Sequence, residues 1–298
     1  MTEYRVPTVP AKTIVTRTKN NRWFGTDYTM NLYRGCCHGC IYCDSRSECY
    51  QIEAFDSVRV KENALLLVER ELRAKRKKGL IGTGSMSDPY NPWEKTLALT
   101  RSALQLIERY QFGVAIATKS PLVQRDADVL KRIGEKAPAI VKMTITTAED
   151  ALCQKIEPHV APTSKRFEAL EALSRAGIYC GILLMPLLPY INDTKENVLA
   201  IVQRAADCGV KFIYPGFGVT LRDTQQLYFY QQLDRLFPGI KAHYLAMGNS
   251  YVYQSPKAQR LMDVFQTACE ENGIVYRMAE IIKQSQRDNT KTEQLSFF

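Results

Sequence analysis

The sequence predicts an α/β fold, a partial (β/α)6 TIM-type barrel with a C-terminal helical extension. Short apolar runs rich in β-branched residues alternate with amphipathic helical patterns, which is typical of a parallel sheet covered by helices. About six such units occur, which is fewer than the eight of a closed barrel. Polar segments follow several of the runs, at the strand ends where a barrel places its active site.

The predicted strands and helices alternate along the chain. After a first strand before Cys36, the apolar strand runs lie at Leu80–Ile81, Phe112–Ala117, Ala139–Ile145, Ile178–Met185 and Val210–Tyr214. Helical patterns lie at Glu62–Lys77, Leu97–Tyr110 and Ala127–Gly134, around Phe167, Leu170 and Leu173, and near Thr224–Leu236 and Pro256–Asn272. Gly177 supplies the C-terminal stop of the helix that precedes it. Asp193 and Glu196 predict a capping box for the next helix.

This alternation divides the chain into four predicted segments. Residues 1–25 form a basic N-terminal segment, residues 26–220 the partial barrel, and residues 221–288 the helical extension. Residues 289–298 are polar and then abruptly apolar, which predicts a flexible tail.

The composition is that of a globular protein, with 45% hydrophobic and 24% charged residues in 298. No apolar run reaches the roughly 20 residues that a membrane span needs, and the first 25 residues lack the apolar stretch of a secretory signal. We therefore expect a cytoplasmic protein without a membrane partner. The formal charge of +9 favours a polyanionic partner such as nucleic acid, but a basic solvated surface accounts for it equally well.

Four of the nine cysteines fall between positions 36 and 43, which favours a metal or cluster site in a reducing compartment over disulfides. Cys36, Cys40 and Cys43 have the spacing C-x3-C-x2-C. Three thiolates from one short loop can each bind a different iron of a cubane cluster, and the fourth iron then stays open for a small molecule. Gly35 and Gly39 allow the backbone to wrap closely round such a cluster.

Polar residues also follow the later strands. The second strand leads into the glycine- and serine-rich loop at residues 82–90, and the third strand is followed by Lys119. Alternation within the fourth strand places Thr144 and Thr146 on one face. Hydroxyls and a lysine suit the polar groups of a bound ligand. Turn formation, solvation and β-propensity account for each of these residues taken singly.

The cysteine loop and these motifs together resemble the radical S-adenosylmethionine (SAM) superfamily, and within it the branch that includes spore photoproduct lyase. The resemblance covers roughly residues 29–220. It implies a [4Fe–4S] cluster on the three cysteines, SAM on the open iron, reductive cleavage of SAM, and hydrogen abstraction from a substrate. It also implies a reducing partner of the flavodoxin or ferredoxin type. The cofactor-binding residues that it implies are Tyr42 for the adenine, Ser87 for the methionine part, Lys119 for the carboxylate, and Thr144 and Thr146.

The resemblance implies candidates for the catalytic residues as well. Spore photoproduct lyase returns a hydrogen from a cysteine just before a Ser-Asp pair, and the matching pair here begins at Ser87. Ser85 or Met86 then occupies the donor position, and neither has the weak S–H bond of a thiol. A tyrosine, Tyr42 or Tyr90, is the substitute. We therefore expect a related reaction on another lesion or molecule rather than true spore photoproduct repair.

The chain ends in Gln294–Phe298, which resembles the bacterial motif Gln-Leu-Ser-Leu-Phe that docks on the DNA sliding clamp. Its apolar side chains would fill a pocket on the clamp, and the alternative is a tail that folds back to bury them. With the charge of +9, this match favours DNA as the partner and a role in DNA repair or modification. Two other functions stay open. One is radical SAM chemistry on a metabolite, peptide or RNA, and the other is a non-catalytic nucleic-acid-binding protein with a Cys3His zinc site that includes His38.

Overall fold

The computed structural model describes residues 6–287. It confirms the predicted α/β fold with a central parallel sheet, and this sheet is open rather than closed into a barrel. The predicted tail at residues 289–298, with the motif Gln294–Phe298, lies outside the described residues.

The central sheet carries the predicted strands. In chain order, the strands of the described residues are β1 (Thr8–Val9), β2 (Val15–Arg17), β3 (Tyr28–Met30), β4 (Tyr33–Arg34), β5 (Arg59–Lys61), β6 (Leu80–Thr83), β7 (Gly113–Thr118), β8 (Ala139–Thr144), β9 (Tyr179–Leu184), β10 (Phe212–Pro215), β11 (Gly218–Thr220) and β12 (Val252–Gln254). The sheet order is β10-β9-β8-β7-β6-β3-β2. Strands β3 and β6 to β10 are parallel, and β2 pairs antiparallel with β3 at the edge. Parallel strands that neighbour each other in chain order form the partial (β/α)6 barrel.

Helices connect and cover these strands. In the described residues they are α1 (Ala64–Ala74), α2 (Glu94–Leu97), α3 (Leu99–Arg109), α4 (Ala127–Gly134), α5 (Asp150–Ile156), α6 (Thr163–Arg175), α7 (Lys195–Asp207), α8 (Asp223–Leu236), α9 (Ile240–Ala246), α10 (Ala258–Glu271) and α11 (Met278–Arg287). Short 3-10 helices lie at Asp44–Arg46, Glu48–Tyr50 and Pro121–Asp126. Within the described range, every helix is too short or too polar to span a membrane.

Strand β8 shows why the parallel strands are apolar on both faces. Val141 and Met143 belong to the main core, which the covering helices share. Ile140 lies on the other face and packs with Phe24 in a smaller inner core. Because both faces of a parallel sheet are covered, its strands read as continuous apolar runs. Lys142 shares the inner face with Ile140, since alternate residues of a strand point the same way.

The turn before β3 closes the inner core at the amino ends of the strands. Phe24 lies 5.7 Å from Phe212 and 5.8 Å from Tyr214, measured between ring centroids, and both partners belong to β10. Helix α11 contributes Ile281 to the same core. The carbonyl oxygen of Ile281 accepts a hydrogen bond from the hydroxyl of Tyr179 at the start of β9. This packing leaves the carboxyl ends of the strands for the functional site.

The C-terminal extension is mainly helical, as expected, but it also contains β12, which pairs antiparallel with β11 at the end of the barrel segment, and the sequence pattern did not predict this pair. Helix α7 begins after Thr194, whose hydroxyl accepts a hydrogen bond from Asn197 N at 3.1 Å. The capping box expected from Asp193 is therefore wrong. Asp193 instead accepts a hydrogen bond from Ser255 Oγ, which ties the loop before α7 to the loop before α10.

Candidate active site

The cysteine loop follows β4 and turns at two glycines in the left-handed region of backbone space. Gly35 has a φ of +81° and Gly39 a φ of +68°. A Cβ atom on Gly35 would lie 2.4 Å from Ser57 O, and one on Gly39 would lie 2.9 Å from Cδ2 of His159. Glycine is therefore required at both positions, and it fixes the path on which the three cysteines are presented.

The sulfur atoms of Cys36, Cys40 and Cys43 share one largely buried environment. Burial raises the pKa of Cys36 to about 12, and the nearby carboxylate of Asp88 adds to this effect. Burial also raises the pKa of Cys40 and of Cys43, while the charge of Lys119 opposes the change in both. The free thiols therefore keep their protons at neutral pH, and a bound metal displaces them.

Three thiolates from one loop fit the ligand set of an iron–sulfur cube. Across residues 6–287, no group of three His, Cys, Asp or Glu side chains could hold one ion. His38, the fourth ligand of the alternative Cys3His zinc site, places Nδ1 3.7 Å from Asp88 Oδ2. The three sulfurs are close enough that, besides burial, Cys43 and Cys36 raise the pKa of Cys40. Neighbouring thiolates suit a cube because each one binds a different iron.

A buried ion pair is hydrogen-bonded to the cysteine loop and holds it in place. Glu157 and Arg166 form a 2.6 Å salt bridge, with side chains only 1% and 0% exposed. Glu157 accepts a hydrogen bond from the hydroxyl of Tyr42, and Arg166 donates to Thr144 O at 2.9 Å. Burial opposes ionisation of Glu157, but the cations of Arg166 and Lys119 outweigh it and lower the pKa. The network fixes the Tyr42 ring and links the cysteine loop to the end of β8.

The segment Ser87-Asp88 clamps the loop to the end of β7. Ser87 Oγ donates a hydrogen bond to Gly35 O at 2.5 Å. Asp88 accepts hydrogen bonds from Thr118 Oγ1 and Lys119 N, both at 2.7 Å. The hydroxyl of Ser87 is thus engaged with the cysteine loop, and its contact with the methionine part of SAM stays a prediction.

A cavity of about 560 Å3 opens beside Cys43 at the carboxyl ends of the strands. The predicted site residues Tyr42, Ser85 and Lys119 line it together. Lys119 Nζ lies 5.6 Å from the centroid of the Tyr42 ring. The other walls come from residues after β9 and β10 and from β11 and β12, chiefly Met185, Pro186, Gly216, Phe217, Thr220, Val252 and Gln254. This volume suits a small-molecule ligand of cofactor size.

Thr144 and Thr146 lie at the end of β8 and are buried, with 7% and 1% of their surfaces exposed. Among the described residues, Thr146 Oγ1 has no hydrogen-bond partner, whereas its backbone oxygen accepts from Asn192 Nδ2 and Asn197 Nδ2. An unpaired buried hydroxyl costs free energy, so Thr146 Oγ1 is a candidate contact for a bound ligand. The assignment of both threonines to SAM stays a prediction.

Tyr90 lies apart from this group. It is 2% exposed and lines a second cavity, of about 380 Å3, with His38 and Lys119. The structure therefore brings together Tyr42, Ser85 and Lys119, and it separates Tyr90 from the larger cavity.

Sequence reasoning assigned no role to two contributors to the site. The first is the ion pair of Glu157 and Arg166. In the sequence, its only trace is the pair Glu157-Pro158 followed by Arg166, which resembles the family pattern. The pairing of charges from different elements does not follow from their separation in sequence. The second is the wall formed by β11 and β12. Strands of three residues are too short to show the alternation by which strands are recognised.

The family comparison agrees with this geometry. The sequence model of the Radical SAM superfamily matches residues 30–202, which is more than half of the chain and includes the cysteine loop. The chain therefore belongs to the radical SAM superfamily, whose members use a [4Fe–4S] cluster and SAM.

Two proteins of similar sequence cover much of the chain. An uncharacterized protein of Mycobacterium tuberculosis is 25% identical over 242 residues, which cover 79% of this chain and 71% of that protein. An uncharacterized protein of Methanocaldococcus jannaschii is 36% identical over 174 residues, which cover 57% of this chain and 64% of that protein.

Solved structures agree on the fold. Spore photoproduct lyase complexed with dinucleoside spore photoproduct matches with a TM-score of 0.65 and 16% identity, over 89% of this chain and 79% of that one. A radical SAM methyltransferase from Kitasatospora setae matches with a TM-score of 0.55 and 13% identity, over 80% of this chain and 51% of that one. Identities this low establish the fold alone, and that fold is the partial barrel of radical SAM enzymes.

Proposed function

We propose that this radical SAM enzyme acts in DNA repair or modification, by a reaction related to that of spore photoproduct lyase. The observation that carries the proposal is the 560 Å3 cavity beside Cys43, whose lining includes Tyr42, Ser85 and Lys119. When bound, the cluster and SAM supply reductive cleavage of the sulfonium and abstraction of a hydrogen from the substrate.

Specific residues of this chain are proposed to bind each part of the cluster and of SAM. Cys36, Cys40 and Cys43 bind three irons and leave the fourth for SAM. Lys119 holds the SAM carboxylate, since its half-buried side chain lines the cavity near the cysteine loop. The ring of Tyr42, fixed by its hydrogen bond to Glu157, forms the wall against the adenine. Three further hydroxyls, those of Ser87, Thr144 and Thr146, complete the proposed cofactor site.

The hydrogen donor comes from the residues of the larger cavity. Ser85 is exposed and lines this cavity, whereas the hydroxyl of Tyr42 donates to Glu157 at its wall. Tyr90 lines only the second cavity among those described, so it ranks behind Tyr42 and Ser85 as the catalytic residue. A thiol is absent from the matching position, which argues for a substrate other than spore photoproduct.

DNA is the proposed substrate class. A charge of +9 favours a polyanion, and a fold neighbour has been solved with a dinucleoside lesion. The proposed partners are a low-potential reducing protein and, through Gln294–Phe298, the DNA sliding clamp. The nine free cysteines suit a reducing compartment, and we propose the cytoplasm as the location.

The test combines two cysteine variants with a panel of substrates. Protein reconstituted without oxygen is reduced with dithionite, and SAM cleavage and DNA products are measured with damaged oligonucleotides. Cys40→Ala should abolish the cluster and SAM cleavage. Cys49→Ala is the matched control, because Cys49 is exposed and outside the motif; it should retain both.

The outcomes test the DNA substrate and the cluster ligands separately. Transfer of deuterium between labelled SAM and a DNA base would support the DNA function. SAM cleavage that no DNA substrate stimulates, together with no measurable DNA affinity, would contradict the DNA function and favour a metabolite, peptide or RNA. An unchanged cluster in Cys40→Ala would contradict the assigned ligands.

A further inference from the structure

A group of positively charged side chains lies at the amino ends of the strands, at the opposite end of the sheet from the candidate active site. Arg17 ends β2, and Lys19 follows it. Arg73 lies in the last turn of α1, and Arg76 and Lys77 lie in the loop between α1 and β6. All five side chains are exposed, and we call them the basic edge.

Hydrogen bonds bring these two parts of the chain together. Lys75 Nζ donates to Val15 O in β2 at 3.1 Å. Tyr28, which lies opposite Arg17 in the pairing of β2 with β3, donates from its hydroxyl to Lys77 O at 2.9 Å. The end of α1 is therefore held against the edge strand, and cations that are more than 50 positions apart in sequence form one surface.

The neighbouring carboxylates do not neutralise this surface. Glu71 accepts hydrogen bonds from the backbone of Ile14 and Val15, and Asp27 accepts one from Leu80 N. Glu69 pairs with Arg109 of α3 at 3.4 Å. Within residues 6–287, none of the five cations of the basic edge forms an ion pair.

Arginines of the neighbouring helices behave differently. Arg101 of α3 lies 2.8 Å from Asp128, and Arg132 of α4 lies 2.7 Å from Glu108. These arginines spend their charge on carboxylates of the protein. The cations of the basic edge keep theirs for a partner in solution, and their grouping creates a positive potential at this end of the molecule.

We propose that the basic edge binds the phosphodiester backbone of the DNA that flanks the reacting base. The inference rests on the proposed DNA function and adds a contact at the opposite end of the sheet from the active site. Arginine and lysine bind phosphates without reading the sequence, and each phosphate that they neutralise releases counterions. A protein partner is favoured less, because protein interfaces have an apolar core from which charged residues are depleted.

The distance between the two contacts predicts a dependence on DNA length. Strand β7 has six residues, so the two ends of the sheet lie roughly 20 Å apart at about 3.3 Å per residue. DNA advances about 3.4 Å per base pair, so this distance corresponds to roughly six base pairs. A tetranucleotide in the active site therefore does not reach the basic edge, whereas a duplex of about 20 base pairs does.

The test reverses two charges of the basic edge and two elsewhere. The double variant Arg17→Glu/Arg76→Glu changes one cation from each part of the edge. Lys131→Glu/Arg260→Glu is the matched control, with the same change of net charge at exposed positions of α4 and α10. The affinity of each reconstituted protein for a 20-base-pair DNA duplex, an RNA duplex of the same sequence and a tetranucleotide is measured by fluorescence anisotropy between 50 and 200 mM salt. Iron content and SAM cleavage with dithionite are measured without DNA.

We expect Arg17→Glu/Arg76→Glu to weaken binding of the DNA duplex about tenfold at 50 mM salt. The slope of log affinity against log salt should fall by about 2, one for each lost phosphate contact. Its affinity for the tetranucleotide, its iron content and its SAM cleavage should equal those of the wild type. The control should bind the duplex within about twofold of the wild type.

Equal losses in the two double variants would overturn the proposal, because net charge alone would then explain binding. A loss confined to the RNA duplex would overturn the assignment to DNA. Unchanged duplex affinity in Arg17→Glu/Arg76→Glu would overturn it as well and leave an acidic protein as the partner of this surface. Duplex binding that depends on the basic edge, in a protein that forms no DNA product, would support this inference and contradict the proposed reaction.

Discussion

Replacing Lys142 by methionine is expected to stabilise the protein below pH 7. Lys142 is 2% exposed on the inner face of β8, and burial lowers its pKa from 10.5 to about 7. A difference of roughly 3.5 in pKa corresponds to roughly 5 kcal/mol against the charged form. Its Nζ lies 4.4 Å from the centroid of Phe24, and this cation–π contact offsets about 1–2 kcal/mol. Methionine keeps the length of the side chain and removes the charge.

The sign follows from proton binding. Between pH 7 and 10.5 the unfolded chain binds a proton at Lys142 and the folded chain does not, so stability rises with pH over this window. Below pH 7 the penalty is fully present in the wild-type protein. The gain from Lys142→Met should therefore be about 3–4 kcal/mol at pH 6 and shrink towards zero as the pH rises from 7 to 10.5.

Urea unfolding of the wild type and the variant at pH 6 and pH 9, followed by circular dichroism, measures this gain. Taking the difference between the two proteins cancels the titration of the cysteines and tyrosines. Lys131→Met, at an exposed position of α4, is the control and should change stability little at either pH. A gain that is the same at both pH values, or a loss at pH 6, would mean that Lys142 is not charged at a cost in the folded interior.

Three other substitutions test the site. Glu157→Gln leaves Arg166 unpaired in the interior and should destabilise the fold by about 3–5 kcal/mol in urea unfolding; a loss below about 1 kcal/mol would mean that the ion pair does not support the loop. Gly35→Ala should lower the iron content sharply, since its Cβ would overlap Ser57 O. Gly239→Ala, at a position of positive φ with open space, should keep full iron content, and equal losses in the two would contradict the steric account. Thr146→Val should leave stability nearly unchanged and weaken SAM binding several-fold in equilibrium dialysis, because the hydroxyl has no protein partner among the described residues; an unchanged affinity would remove Thr146 from the site.

The strands were predictable because the parallel sheet is covered on both faces. The strands from β6 to β10 are mostly apolar along their length, with Lys142 of β8 as the charged exception, and this pattern can be recognised in the sequence without knowledge of tertiary contacts. The start of α7 was harder to predict. Asp193 and Thr194 are both good capping residues, but the Asp193 carboxylate is engaged by Tyr190 N and by Ser255 Oγ, the latter 62 positions away, and Thr194 caps the helix.

The site was predictable where it is local in sequence. Three cysteines and two glycines within nine residues define the cluster loop, and the structure gives them one shared environment. The support of the loop is long-range and was not predictable. Tyr42 meets Glu157 across 115 positions, and Ser87 meets Gly35 across 52. Such contacts depend on how the strand ends converge, which residue spacing does not encode.

We propose that Cys36, Cys40 and Cys43 hold a cluster with one open iron that binds SAM. The most direct measurement is the electron paramagnetic resonance spectrum of the dithionite-reduced protein before and after addition of SAM. We predict the signal of a reduced [4Fe–4S] cluster, about four irons per chain, and a clear change of the signal when SAM binds. A spectrum that SAM leaves unaltered, or a protein that takes up zinc and no iron, would contradict the claim.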